Sequence, residues 1–376
     1  MSGDAGDPPY FAPKDVDELA AWLRGRRPGD APVCAVGGGT KPALSRRRGA
    51  AAVELRHFSG ILSYEPSEFT VNVRAGTPLR DVAEALRRHG QCLPFDPPWV
   101  EAGSTAGGAV ATGISGPGRL RGGGVRDSVL AVRFLDGRGR HARAGAPVVK
   151  NVAGFDLPKL FVGSAGGLVI LTEITFKVLP APRAFATALF DYPTLEDAHG
   201  AALSVLGRGF SLDGLEILPR AGAEKTLAVR VGGDSSGLGR RLTRLGAHLG
   251  HGARPVEDEA DLWRRLRDAD WAAPDRYLLW IPTPPARVPA LAGALRDFDA
   301  VASYGGGLTS ARVAVDPGAP GALDPVLERL GLLALVLRGA GGRPILGLPP
   351  GAALLDRVKK TLDPGQIFPA FGDPSR

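Results

Sequence analysis

The chain is short of several things that would place it in a class. Among 376 residues there are 2 cysteines, Cys34 and Cys92, too few for a disulfide framework and outside any metal-ligand spacing. Aromatic residues make up only 6%, and none interleave with the basic clusters as a nucleic-acid platform requires. The longest apolar run, Leu332 to Leu337, falls far below the roughly 20 residues of a membrane helix. The first residues, MSGDAGDPPYFAPKD, carry acids and prolines where a signal peptide has basic residues and an apolar run. These absences lead to the expectation of a cytoplasmic protein with no membrane span and no nucleic-acid partner. The net charge of +7 comes mainly from scattered arginines, clustered only at Arg24 to Arg27, Arg46-Arg47-Arg48 and Arg264 to Arg267. Scattered charge reads as a solvated surface, and its sign suits an acidic small molecule or a phosphate-bearing cofactor.

What the chain has in quantity is glycine, 53 residues. The densest stretch lies within Glu101 to Pro182, where Gly103 to Gly113 bear only Gly, Ala, Ser, Thr and a single Val. Glycines let successive N–H groups turn into a concavity that binds an anion without a cationic side chain. Earlier, the apolar run Pro32 to Val36 leads straight into Gly37-Gly38-Gly39-Thr40-Lys41. That loop is not a Walker A loop, because Pro42 stands where Ser or Thr should follow the lysine. It is not a Rossmann fingerprint either, since Pro42 replaces the third glycine, and no helix is expected to start at Pro42. The two glycine loops together predict a diphosphate site, with the bare backbones of Gly38 and Gly107 facing the phosphates.

Around these loops, apolar spacing and turn residues predict the elements. Val16, Leu19, Ala20 and Leu23 give an amphipathic helix capped by Asp15, and Leu79, Val82, Ala83 and Leu86 give another opened by Thr77-Pro78. Strands are expected at Phe69 to Ala75, Val129 to Leu135, His141 to Ala144 and onward from Leu168, with prolines 180 and 182 ending the last. From Phe185, strands and helices of ordinary length alternate in the manner of an antiparallel α+β sheet.

The order GSTAGG, GISGPGR, VRDSV, KNVAGFDLPKLFVGSAGG and LVILTEITFKVLP resembles the FAD-binding domain of the vanillyl-alcohol oxidase and p-cresol methylhydroxylase type. Within that superfamily it is most similar to the FAD-binding subunits of bacterial glycolate oxidases, closely over Val33 to Pro182 and in outline elsewhere. The resemblance implies an α+β fold with a two-part FAD-binding domain and an antiparallel α+β cap. The expected divisions are residues 1–183, split near residue 100, then a cap at 184–345, then a segment at 346–376 that returns to the FAD domain. The implied FAD contacts are Gly37, Gly38, Gly39, Thr40 and Lys41 in the first loop. They continue with Gly103, Ser104, Thr105, Gly107, Gly108, Thr112, Gly113 and Ser115 in the second, and with the backbone of Ile170 in LVIL, placed to contact the ring or the adenine. Lys150 and Asn151 stand where the family chain passes the flavin, either as contacts to ring or substrate or as a surface loop. Arg126 and Asp127 are expected to pair with each other.

The resemblance also implies what is missing. Relatives that oxidise 2-hydroxy acids hold a divalent metal with cap histidines in a run such as H-x-G-D-G-N-x-H. Here the cap histidines are His199, His248 and His251, in no such run, so no metal site and no catalytic residue is assigned. Members that attach FAD covalently through histidine have it where this chain has Thr40, so noncovalent FAD is expected. The implied role is an FAD-binding oxidoreductase subunit of a 2-hydroxy-acid-oxidising, glycolate oxidase-like complex, relaying electrons beside a catalytic flavoprotein and an iron–sulfur subunit. The alternatives are a self-contained FAD-dependent 2-hydroxy-acid dehydrogenase and a non-catalytic structural subunit.

Overall fold

The computed structural model describes residues 10–27, 29–45, 49–146, 156–250, 252–339, 343–347 and 351–370. Strands Tyr10–Phe11, Ala51–Glu54 and Val33–Val36 form a parallel three-stranded sheet in that spatial order. Parallel strands need crossover connections, and helix Val16–Arg24 carries the chain from one edge strand of this sheet to the other. The carboxylate of Asp15 accepts the Glu18 N–H at 2.8 Å, the N-cap bond that the sequence promised. Leu19, Ala20 and Leu23 then bury against Val33, Val53 and Leu55. Ala51–Glu54 carries no alternating pattern, and only pairing on both sides reveals it.

A second, antiparallel sheet takes strands Ile61–Glu65, Thr70–Arg74, Ile170–Lys177, Val129–Leu135 and His141–Gly145 in spatial order. The sheets therefore change over between Glu54 and Ile61, earlier than the split expected near residue 100. The reason is register: Thr70–Arg74 pairs along its whole length with Glu173 to Lys177, a partner more than 95 residues on. The turn at Asp136 to Gly139 closes the hairpin of the last two strands, with the Asp136 carboxylate accepting the Arg138 and Arg140 N–H groups. Helix Leu79–Arg87 starts as expected, but Thr77 does not cap it; its hydroxyl donates to the Arg74 carbonyl and accepts the Gly60 N–H. Nor do Arg126 and Asp127 pair. Consecutive helical residues point apart, so Arg126 reaches the Lys159 carbonyl and Asp127 accepts the Gly124 N–H.

The cap sheet has nine strands, all antiparallel to their neighbours. One face is covered by helices Leu195–Gly207, Ser235–Leu249, Val288–Leu295 and Pro320–Leu330, burying Val229, Leu279, Val313 and Val336 among others. The opposite face meets the amino-terminal half: Leu278, Trp280, Ala314, Leu335 and Leu337 pack on Leu44, Ile114 and Ala165. The carboxy-terminal segment runs back across both amino-terminal sheets. Leu355, Val358 and Leu362 of helix Ala352–Leu362 lie on the core of the second, and Phe368 is buried in the core of the first.

Candidate cofactor site

The two glycine loops line one cleft, with about 870 Å³ of open space between its walls. Gly37 to Lys41 form one side, Thr105, Gly107, Gly108, Ala111 and Thr112 another, and Leu44, Leu55, Val169 and Leu171 give apolar surface. Ser164, Ala165 and Gly166 complete it. This third turn was missed in the sequence reading, although its signal was there in GSAGG. Ala165 holds φ 46° and Gly166 φ 74°, and a left-handed non-glycine residue marks a turn fixed by its surroundings. Here the fixing bond runs from the Ala165 N–H to the Ala111 carbonyl at 2.6 Å.

The loops are not equivalent. Among the described residues, the N–H groups of Gly37, Gly38, Gly39, Thr40 and Lys41 have no protein acceptor. In the second loop the amides are already committed. Gly103 donates to Val100, Ser104 to Trp99, Ala106 to Thr77 and Gly107 to Ala75, while Gly108 donates to the Thr105 hydroxyl, which caps helix Ala106–Thr112. An anion nest needs free donors, so the nest is the first loop and the second loop is the platform beneath it.

The glycines follow the same division. A Cβ built on Gly38 would lie 1.7 Å from the Gly103 carbonyl oxygen, and one on Gly37 2.3 Å from the Thr105 hydroxyl. The missing Cβ of Gly37 and of Gly38 therefore faces the second loop, so the side-chain position of each is set by packing while its N–H stays unspent. The missing Cβ of Gly107 faces Ala75, 3.0 Å away, so it too is a packing glycine.

Pro42 also behaves differently from expectation. It opens a single helical turn, Pro42–Ser45, because the first helical position has no acceptor for an N–H and tolerates the ring. That turn places Leu44 in the cleft wall and buries Lys41. The Lys41 ammonium donates to the Thr40 hydroxyl at 3.0 Å and lies 5.0 Å from the centre of the Trp99 ring, with no carboxylate partner among the described residues. Burial lowers its pKa to about 8.

Several expected contacts sit elsewhere. Gly103, Ser104, Gly113 and Ser115 are outside the cleft lining: Gly113 is the left-handed C-cap of the helix, and the Ser115 hydroxyl accepts the Val125 N–H. The Ile170 side chain packs in the core around Leu19 and Val33, and alternation in the strand gives the cleft the side chains of Val169 and Leu171, so an Ile170 contact would be made by its backbone. Lys150, Asn151 and His251 lie outside the described residues. His199 hydrogen-bonds the Pro285 carbonyl and His248 the Ser204 hydroxyl. Among the described residues no group of three metal-ligating side chains comes together, and no helix is long and apolar enough to cross a membrane.

The site's chemistry fits FAD. Five unspent amides and one buried, uncompensated cation suit a diphosphate, and the leucine and valine walls suit planar rings. Residues 9–145 match the model of an FAD binding domain. Over 153 residues the chain is 46% identical to the glycolate oxidase subunit GlcE of Escherichia coli (strain K12), covering 41% of this chain and 44% of that protein. It is 36% identical over 149 residues to a D-lactate dehydrogenase of Anaerostipes hadrus, covering 40% of this chain and 31% of that protein. The aligned stretches thus span less than half the length of either relative. A solved structure of alkyldihydroxyacetonephosphate synthase superposes with a TM-score of 0.68 at 16% identity, covering 97% of this chain and 78% of that one. The α+β architecture expected from the sequence is thereby shared along almost the whole chain. Residues 9–145 therefore carry an FAD binding domain, the cofactor is FAD, and the chain as a whole shares the fold of the solved synthase.

Proposed function

We propose that the chain is the FAD-binding, electron-relaying subunit of a glycolate oxidase-like complex, working beside a catalytic flavoprotein subunit and an iron–sulfur subunit on a small 2-hydroxy acid. One observation carries this reading: among the described residues, apart from Cys34, the only ionisable side chain lining the cleft is Lys41, and all the lining residues come from the amino-terminal half. Oxidising a 2-hydroxy acid requires a group that takes the hydroxyl proton and a group that holds the carboxylate. The cap offers neither to the cleft. What it offers is the apolar surface of Trp280, Leu278 and Leu335, packed against Leu44 and Ala165.

Bound FAD supplies the electron-accepting and electron-donating chemistry. The chain's own residues hold and shield it. The amides of Gly37 to Lys41 take the diphosphate, Lys41 neutralises part of its charge, and Leu44, Leu55, Val169 and Leu171 keep water from the rings. Noncovalent FAD fits Thr40 in the first loop and a cleft lined by no histidine or tyrosine among the described residues, and acid precipitation should release all yellow colour into the supernatant. That the Escherichia coli relative is a subunit of a glycolate oxidase supports membership of an assembly.

A second reading, a self-contained dehydrogenase, is favoured by Lys41, because a buried amine with a pKa near 8 can accept a proton at neutral to alkaline pH. Anaerobic mixing of the FAD-loaded chain with glycolate and with D-lactate separates the two. The relay reading expects no flavin bleaching by either acid until partner subunits are added. Rapid bleaching by either acid alone establishes the dehydrogenase.

A further inference from the structure

Three neighbouring strands of the cap sheet, Gly214–Ile217, Ala300–Gly305 and Ser310–Val315, send one polar side chain each into a single buried cluster. Glu216 is 0% exposed, Ser303 0% and Arg312 1%. The Ser303 hydroxyl donates to Glu216 Oε1 at 2.5 Å, and one Arg312 nitrogen lies 3.4 Å from the same oxygen. The other terminal nitrogen of Arg312 leaves the cap and donates to the Ser115 carbonyl at 3.0 Å. Burial pushes the Glu216 carboxyl above its ordinary value, against the pull of Arg312 and Ser303. Glu216 Oε2 and Arg312 Nε have no hydrogen-bond partner among the described residues. A pair so fully desolvated, with two atoms unsatisfied, adds little net stability over an apolar pair of similar size. What it adds is direction: a forked guanidinium anchored on one side and aimed across the domain boundary.

The target of that fork matters for the cofactor. Ser115 lies three residues beyond the helix Ala106–Thr112 that floors the FAD cleft. The helix start is fixed from within the amino-terminal half, by the Ala106 and Gly107 amides on Thr77 and Ala75. Its exit is held differently. Ile114 is buried in the inter-domain cluster with Leu44, Ala165 and Trp280, the Gly116 amide is held by the Phe95 and Asp96 carbonyls, and between them the Ser115 carbonyl is held by Arg312.

We propose that Arg312 is a positioning residue for FAD. Through it the cap fixes the exit of the second glycine loop, so that tight retention of the cofactor depends on the cap being seated. The inference rests on FAD binding alone and not on the relay reading, so it can fail while that reading stands.

Two variants test it. In Arg312→Lys a single ammonium stays opposite Glu216 but cannot also span to Ser115. In the double variant Arg312→Met with Glu216→Gln, the buried charges are removed together, so no unpaired carboxylate is left behind. For each, FAD dissociation is measured by the recovery of flavin fluorescence on dilution, apoprotein stability by the urea midpoint, and amide exchange across residues 113–118 by mass spectrometry. The expected result is FAD release faster by roughly tenfold, the loss of one charge-assisted hydrogen bond, with faster exchange at 113–118 and an apoprotein midpoint close to that of the unaltered chain. Release unchanged in a folded variant overturns the proposal. So does release that rises only as far as the urea midpoint falls, because that is a purely structural role. Should the double variant not fold, the lysine variant decides by the same criteria.

Discussion

The two glycine loops look alike in sequence and do different work. Gly37-Gly38-Gly39-Thr40-Lys41 keeps its amides unspent, whereas Gly103-Ser104-Thr105-Ala106-Gly107-Gly108 has given nearly all of its amides to other carbonyls and to its own cap. Glycine in the first loop serves two ends at once: it frees the backbone to turn its N–H groups into the cleft, and it lets that backbone press on the Gly103 carbonyl. In the second loop Gly107 lets the helix press on Ala75, and Gly103 takes a left-handed turn at φ 91°. A run of small residues therefore says that something approaches closely, and only the hydrogen-bond ledger says whether that something is a ligand or another loop.

The largest effect that would test this division is at Gly38. A methyl there would overlap the Gly103 carbonyl, a rigid backbone atom, so Gly38→Ala should force the loops apart. The expected outcome is loss of FAD binding by at least about a hundredfold, read by flavin titration, with the apoprotein still folded by circular dichroism. The control is Gly108→Ala, whose methyl would meet only the Thr105 hydroxyl at 3.2 Å and should cost less than about tenfold. Equal losses in the two variants would mean that the loops are not divided into nest and platform.

Next in size is Lys41. Its removal as Lys41→Met should weaken FAD binding by about ten- to a hundredfold, the range for losing a buried charge-assisted contact to a phosphate. The pH dependence gives a sharper signature. Because the folded pKa of about 8 lies below the ordinary 10.5, the unfolded chain binds the proton more tightly, so apoprotein stability should rise as pH climbs from about 8 towards 10.5. A bound diphosphate favours the charged ammonium, so FAD affinity should fall over the same interval. Both slopes should flatten in Lys41→Met. A pH-independent FAD affinity in the unaltered chain would remove Lys41 from the diphosphate.

Much of the fold could be read from the sequence, and the parts that could not share a physical cause. Val129 to Leu135 is β-branched and bounded by turn residues, and it forms the strand Val129–Leu135. In the cap, Tyr277 to Ile281 is an apolar run of strand length and falls within a strand of the large antiparallel sheet. Ala51–Glu54 and Ile61–Glu65 escaped because pairing, not composition, makes them strands, and the second is largely exposed. In the site, the loops and Lys41 were legible as chemistry. The orientation of Gly38, the inward turn of Val169 and Leu171 in place of Ile170, and the reach of Arg312 to Ser115 were not. Each depends on a neighbour distant in the chain, about which local pattern carries no information.

The smallest expected effect gives the most direct comparison of the loops, at Thr105. Its hydroxyl accepts the Gly108 N–H and caps the seven-residue helix of the platform. Losing such a cap costs about 1 kcal/mol of stability, so Thr105→Ala should lower the apoprotein melting temperature by a few degrees at most. If the platform only supports the nest, FAD affinity should change by less than about threefold, because the N–H groups facing the diphosphate belong to Gly37 to Lys41. Thr105→Ser keeps the accepting oxygen and should restore the melting temperature. The informative quantity is the ratio of the two losses. Were Thr105→Ala to weaken FAD as much as Lys41→Met while barely moving the melting temperature, the freed Gly108 amide and the hydroxyl would have to be cofactor contacts themselves, and the second loop would be a nest in its own right.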